Sequence, residues 1–93
     1  MTVKLIKVFQ LDLIDQVRYI YKDKPIAALK FRKDLIKNLK KDLKSPYHFK
    51  KSIYYNSENI RDYVFKGYTS VYEINIEQKT VFVFGFIKHK DSL

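Results

Sequence analysis

Two histidines and two groups of lysines are the side chains of this sequence that could perform chemistry near neutral pH. His89 lies near the C-terminus between Lys88 and Lys90, and His48 lies among aromatic residues. An imidazole titrates near pH 7, so it can act as a general acid or base. A solvated histidine in a charged tail looks the same in sequence, so both interpretations of His89 stay open.

Lys50 and Lys51 form the second group, and with Lys88 and Lys90 they are candidates for binding a nucleic acid or another target. The sequence contains no cysteine, which excludes disulfides and thiolate metal sites. It also has no zinc-ligand spacing, no glycine-rich phosphate loop and no serine or cysteine nucleophile motif. We therefore expect no metal site and no cofactor.

The net charge of +9 is concentrated in the middle of the chain. Residues 22–51 contain eleven lysines and arginines and three aspartates, whereas residues 52–87 contain three basic and four acidic side chains. A basic surface favours nucleic acid, an acidic protein or nucleic-acid machinery as the partner. The alternative is a lysine-rich helix face that is simply solvated.

The length and hydropathy of the chain predict one domain over residues 1–93 in a cytoplasmic protein. No apolar run reaches the ~18 residues that a membrane span needs. The N-terminal residues lack the apolar core and cleavage site of a signal peptide. We therefore expect no membrane partner.

The N-terminal half predicts a strand over residues 2–9 followed by two helices. The first helix has apolar residues at helical spacing, namely Leu13, Ile14, Val17, Ile20 and Tyr21. The second begins at Pro25 and ends near Lys44, before Ser45-Pro46. Its predicted apolar stripe consists of Ala28, Leu29, Leu35, Ile36, Leu39 and Leu43. The short link between the helices predicts an antiparallel hairpin.

The C-terminal half predicts a long loop over residues 45–59 and then three strands. Residues 59–75 alternate on both sides of Lys66-Gly67, which indicates a β-hairpin. Residues 80–87 are apolar on both faces, as expected of a central strand, and Gly85 marks a close approach by a neighbour. The order βααβββ predicts an α+β fold: an N-terminal strand, an antiparallel helix hairpin and a mostly antiparallel three-strand meander.

The two faces of the hairpin differ in chemistry. One face carries the aromatic residues together with one arginine: Arg61, Tyr63, Phe65, Tyr68 and Tyr72. Its larger apolar area predicts a structural role in the core for these five residues, although a platform for stacking bases is the alternative. The opposite face is expected to be the exposed working surface, and Asp62 and Glu73 on it would repel phosphate.

Two stretches carry a resemblance to a known family: "NIRDYVFKGYTSVYEI" with the apolar strand after it, and "ALKFRKDLIKNLKKDLKSP". With the element order, they resemble the RelE/ParE superfamily of bacterial toxins. The resemblance implies a toxin of a type II toxin–antitoxin system, acting as a monomer or in a small complex with a cognate antitoxin. RelE-like members cut mRNA on the ribosome, whereas ParE-like members poison DNA gyrase.

The resemblance also implies where catalytic residues would lie. RelE-like nucleases have a key arginine directly after the tyrosine of the hairpin, and Thr69 occupies that position here. A second basic residue follows their last strand, which points to Lys88 and His89, with Lys90 where an aromatic is usual. We therefore expect a ParE-like inhibitor of gyrase or similar machinery. The alternative is an mRNA endonuclease that uses His89 and the nearby lysines.

Overall fold

The order of helices and strands is the one predicted, so the α+β βααβββ architecture is confirmed. The computed structural model of the protein describes residues 1–88. The elements are β1 (Thr2–Leu5), α1 (Lys7–Tyr21), α2 (Pro25–Asp42), β2 (Ile60–Phe65), β3 (Tyr68–Asn75) and β4 (Thr80–Lys88), with a 3₁₀ turn at Pro46–His48. Within the described part of the chain, neither helix is long and apolar enough to cross a bilayer.

The four strands form one sheet in the order β1-β4-β3-β2. Strand β4 is central, because it pairs in parallel with β1 and antiparallel with β3. The register shifts between Val71 and Tyr72, so Phe84 is an extra residue in β4. A Cβ added at Gly85 would lie 3.1 Å from the Val71 Cβ, which confirms the close approach predicted there.

The predicted N-terminal strand is too long. Strand β1 ends at Leu5, and Phe9 is fully buried on the first helix, where its ring meets the edge of Phe86 at 5.7 Å. The reason is that Phe9, Leu13 and Val17 are four residues apart and share one helix face. The Gln10 side chain donates to the Leu5 carbonyl oxygen at 2.7 Å, at the junction between strand and helix.

The apolar stripe of α2 is also different from the prediction. Leu29 is 57% exposed, whereas Phe31, which the prediction omitted, is buried. Residues 28, 31, 35 and 39 follow the three- and four-residue spacing of one helix face, and position 29 is turned about 100° away from position 28. Leu35 and Leu39 therefore face the sheet, while Leu29 faces solvent.

The β-hairpin predicted around Lys66-Gly67 is confirmed. Arg61 pairs with Tyr72, and Phe65 pairs with Tyr68 at the turn. Lys66 and Gly67 have φ values of 51° and 81°, as a two-residue type I′ turn requires. Because side chains alternate along a strand, this register also determines which residues of the hairpin face the helices.

Candidate target-binding site

The aromatic face of the hairpin is covered by the helices. Tyr63 and Tyr72 are buried, and each hydroxyl donates a hydrogen bond: Tyr63 to the Asp42 carboxylate at 2.5 Å, and Tyr72 to the Pro46 carbonyl at 2.6 Å. Burial raises the pKa of both phenols, and the Asp42 carboxylate raises that of Tyr63 further. These rings are therefore inaccessible to a stacking base.

Phe65 and Tyr68 lie at the rim of this core and are only half-buried. Tyr68 stacks on Phe86 at 5.3 Å and contacts the Phe31 ring at 4.9 Å, while its hydroxyl accepts a hydrogen bond from the Gln16 side chain. Phe65 is 6.2 Å from the Phe31 ring. One face of the Tyr68 ring is thus occupied by Phe86, while Phe65 stays partly open to solvent.

Arg61 connects the sheet to the segment 45–59. Its guanidinium donates to the Phe49 carbonyl at 2.8 Å and to the Glu58 carbonyl at 3.1 Å, and it lies 5.2 Å from the centre of the Tyr47 ring. The side chain is 16% exposed, so a buried charge is satisfied mainly by backbone oxygens at both ends of the segment. We propose that Arg61 anchors this segment.

Replacing Arg61 with lysine should lower the free energy of unfolding by about 1–2 kcal/mol, because an ammonium cannot reproduce the forked contacts to two separate carbonyls. Urea unfolding followed by circular dichroism measures the change. Limited proteolysis should also cut within residues 45–59 faster than in the wild type. The same replacement at Arg18, an exposed residue of α1, is the control and should have no measurable effect.

The face of the sheet opposite the helices is less exposed than predicted. Thr69 and Val71 on this face are each only 1% exposed. The reason is that the segment 45–59 runs along β2, where the Ser52 N–H donates to the Ile60 carbonyl at 2.8 Å, and then packs Tyr55 on Phe84 of the central strand at 5.6 Å. Much of the predicted working surface is therefore covered.

A cavity of about 480 Å³ lies between this segment and strands β2 and β3. Its walls combine apolar side chains with three basic groups and one carboxylate: Phe49, Ile53, Val64, Thr69, His48, Lys50, Lys51 and Asp62. The candidate lysines 50 and 51 thus line one cavity with His48. Lys51 is also 3.4 Å from the Glu58 carboxylate.

Asp62 is the acidic group of this cavity. Its Oδ2 accepts a hydrogen bond from the Ile53 N–H at 3.1 Å. Its Oδ1 is buried and receives no hydrogen bond within residues 1–88. Sequence reasoning placed Asp62 on the working face but missed Ile53, since nothing in the loop sequence indicates which of its side chains returns to the sheet.

Lys88, another of the predicted basic residues, does not line this cavity. Lys88 ends β4 with its ammonium 5.2 Å from the centre of the Tyr19 ring, and it lines a separate depression with Asp12 and Asp15 of α1. His89 and Lys90 lie outside the described residues. A catalytic set composed of His89 and its neighbouring lysines therefore stays a prediction.

A second candidate surface follows the exposed edge of β1 beside α2. Two adjoining cavities of about 510 and 740 Å³ share Val3 and Lys40 and so form one groove. The floor is apolar, with Leu5, Leu13 and Ile36 among its residues. The rim is basic and consists of Arg32, Lys37, Lys40, Lys41 and Lys44. No carboxylate lines either cavity within the described residues.

Comparison with known proteins gives one result. The model of a family described as ParE toxin of type II toxin-antitoxin system, parDE, matches residues 3–93. No curated protein and no solved structure matches the chain. The match covers both helices and all of β2, β3 and β4, as well as the segment that forms the cavity.

Proposed function

Because this chain belongs to the ParE toxin family of type II toxin–antitoxin systems, we propose that it arrests growth by binding DNA gyrase or similar nucleic-acid machinery in the cytoplasm. A cognate antitoxin would hold it inactive. In this proposal the toxin is a binding protein and not a nuclease. Its target surface is the cavity-bearing face of the sheet, and its antitoxin surface is the groove beside α2.

The proposal rests on the side chains of Thr69 and Asp62, neither of which suits a nuclease. Thr69 stands where RelE-like nucleases place an arginine, and it is buried. Asp62 of β2 lines the same cavity, and its carboxylate disfavours an attacking or leaving phosphate. Both features suit contact with a protein better than cleavage of RNA.

One observation favours the alternative, a RelE-like mRNA endonuclease. His48, Lys50 and Lys51 line one cavity, so a proton-exchanging group and two cations lie near each other. In that mechanism His89 and Lys90, which lie outside the described residues, would have to join this set, since Lys88 lines a separate depression. A general acid or base supplies about 10²–10⁴-fold in rate, so the two functions predict different effects of removing a histidine.

The deciding experiment combines two assays of the purified protein with growth tests. We expect the wild type to inhibit supercoiling by gyrase and to leave mRNA uncut in translation reactions analysed by primer extension. His89→Ala should still arrest growth, since no histidine transfers a proton in this proposal. Specific cleavage sites in mRNA, lost in a folded histidine variant along with toxicity, would establish the endonuclease instead.

We assign the groove beside α2 to the antitoxin because its charge and shape suit an acidic segment with apolar residues. Val3 and Leu5 present their backbone to the open edge of β1, and their side chains are half-buried on the apolar floor. Five cations border that floor. A disordered acidic segment could fold into the groove, with complementary charge accelerating its association.

Reversing charge in the groove should slow antitoxin binding. The double change Lys37→Glu and Lys40→Glu should reduce the association rate about tenfold at low salt, and the difference should shrink as salt rises. The control, Lys22→Glu with Lys24→Glu, changes net charge equally at the helix turn outside the groove. Stopped-flow mixing with the antitoxin of the same operon measures both rates. Equal slowing by both pairs would contradict the assignment of the groove.

A further inference from the structure

We propose that the cavity between the segment 45–59 and strands β2 and β3 binds an aromatic side chain of the target protein, one that carries a hydrogen-bond donor and lies beside an acidic residue. The inference rests on the proposed function, because it names the chemistry with which a protein target would be held. Three features of the cavity support it: an apolar wall, a carboxylate oxygen that receives no hydrogen bond from the described residues, and a basic rim.

The apolar wall is built from side chains that project into solvent. Ile53 is 82% exposed and Val64 is 61% exposed, and both line the cavity. The volume of about 480 Å³ falls within the range of about 300–1,000 Å³ that is usual for ligand sites. Aromatic residues that fill such a pocket contribute most of the energy of many protein interfaces.

Asp62 is the reason why we expect the bound ring to carry a hydrogen-bond donor. One carboxylate oxygen is used by the Ile53 N–H, whereas Oδ1 is buried and no group within residues 1–88 donates to it. Buried acceptors in folded proteins are nearly always paired. Asp62 lines the cavity, so a turn of its carboxyl group would bring this oxygen to an indole N–H or a phenol O–H of an entering ring. A plain hydrocarbon ring would leave it unpaired.

The basic rim of the cavity is the reason why we expect an acidic residue beside the aromatic side chain of the target. Lys50 lines the cavity and forms no ion pair within the described residues, and His48 lies beside it. Lys51 is 3.4 Å from the exposed carboxylate of Glu58, its one ion pair within residues 1–88. A carboxylate next to the inserted ring would meet this positive rim, which favours correct orientation of the partner.

A nucleotide base is also a ring with donors, but the walls do not suit one. Sites for single-stranded nucleic acid present exposed aromatic faces on which bases stack. Phe49 is the aromatic residue of this wall, and its ring contacts the rings of Tyr63 and His48 edge-on at 5.1 and 5.4 Å. Ile53 and Val64, the other apolar residues of the wall, are aliphatic and offer no ring for a base to stack on.

Two small fluorescent probes test the pocket on the full chain, which contains no tryptophan to interfere. Indole carries an N–H donor, and 1-methylindole is the same ring without it. We expect saturable binding of indole, with 1-methylindole about fivefold weaker, as one net hydrogen bond implies. In Asp62→Asn, whose amide oxygen can still accept from Ile53, the difference between the probes should fall below twofold.

Val64→Lys should abolish binding of indole, because the long cation occupies the apolar wall. Val8→Lys is the matched control, since Val8 is 59% exposed on α1 away from the cavity. Absence of saturable indole binding, or tighter binding of uridine or adenosine monophosphate than of indole, would overturn the proposal.

Growth tests separate this inference from the proposed function. Val64→Lys should lose growth arrest, whereas Val8→Lys should retain it. A Val64→Lys protein that loses indole but still arrests growth would overturn the target pocket while leaving the toxin function intact. A wild-type protein that arrests no growth would contradict the proposed function itself, whatever the probes show.

Discussion

Leu35→Ala is expected to lower the free energy of unfolding by about 2–5 kcal/mol, the usual cost of a cavity left by a buried leucine. Leu35 is fully buried on α2, within the cluster that joins both helices to the sheet. A small domain has a total stability of roughly 5–15 kcal/mol, so this loss would be a large fraction of it. Urea unfolding monitored by circular dichroism measures the loss.

Leu29→Ala is the matched control, because it makes the same chemical change on the same helix. The Leu29 side chain is mostly exposed, so the stability should change by no more than about 0.5 kcal/mol. The contrast tests the orientation of α2 directly. Equal losses in the two variants would mean that the helix is rotated about its axis relative to this structure.

Raising the pH above 10 is expected to destabilise the protein steeply. Burial raises the pKa of Tyr63 and Tyr72 above that of a tyrosine in an unfolded chain, which is about 10. Above that pH the unfolded state has lost protons that the folded state still holds. The stabilisation from the two protonated phenols is therefore complete below pH 10 and is lost as the pH rises towards their folded-state values.

In this range each of these two tyrosines lowers the free energy of unfolding by up to about 1.4 kcal/mol per pH unit. Together they should lower it by roughly 2–3 kcal/mol between pH 10 and 11. Urea unfolding at several pH values gives the slope. Tyr72→Phe should remove about half of it, whereas Tyr21→Phe, at an exposed position of α1, should leave it unchanged. A stability that is flat up to pH 11 would contradict the burial of both hydroxyl groups.

The sequence by itself determined the order of the elements, the helix hairpin and the register of β2 and β3. These features depend on local signals: the spacing of apolar residues, Pro25 at the start of a helix, and the Lys66-Gly67 turn. The turn sets the register and alternation sets the faces, so the aromatic side of the hairpin could be assigned to the core. The family resemblance followed from the same local patterns.

Only the tertiary structure decided the course of the segment 45–59 and the cavity that it makes. This segment has no periodic pattern, and its position depends on contacts with residues distant in sequence, such as Phe49 with Arg61 and Ile53 with Asp62. Likewise, Phe31 rather than Leu29 lies in the core because of the way in which α2 packs on the sheet. Local sequence preferences do not determine these contacts, because they depend on which surfaces meet once the whole chain has folded.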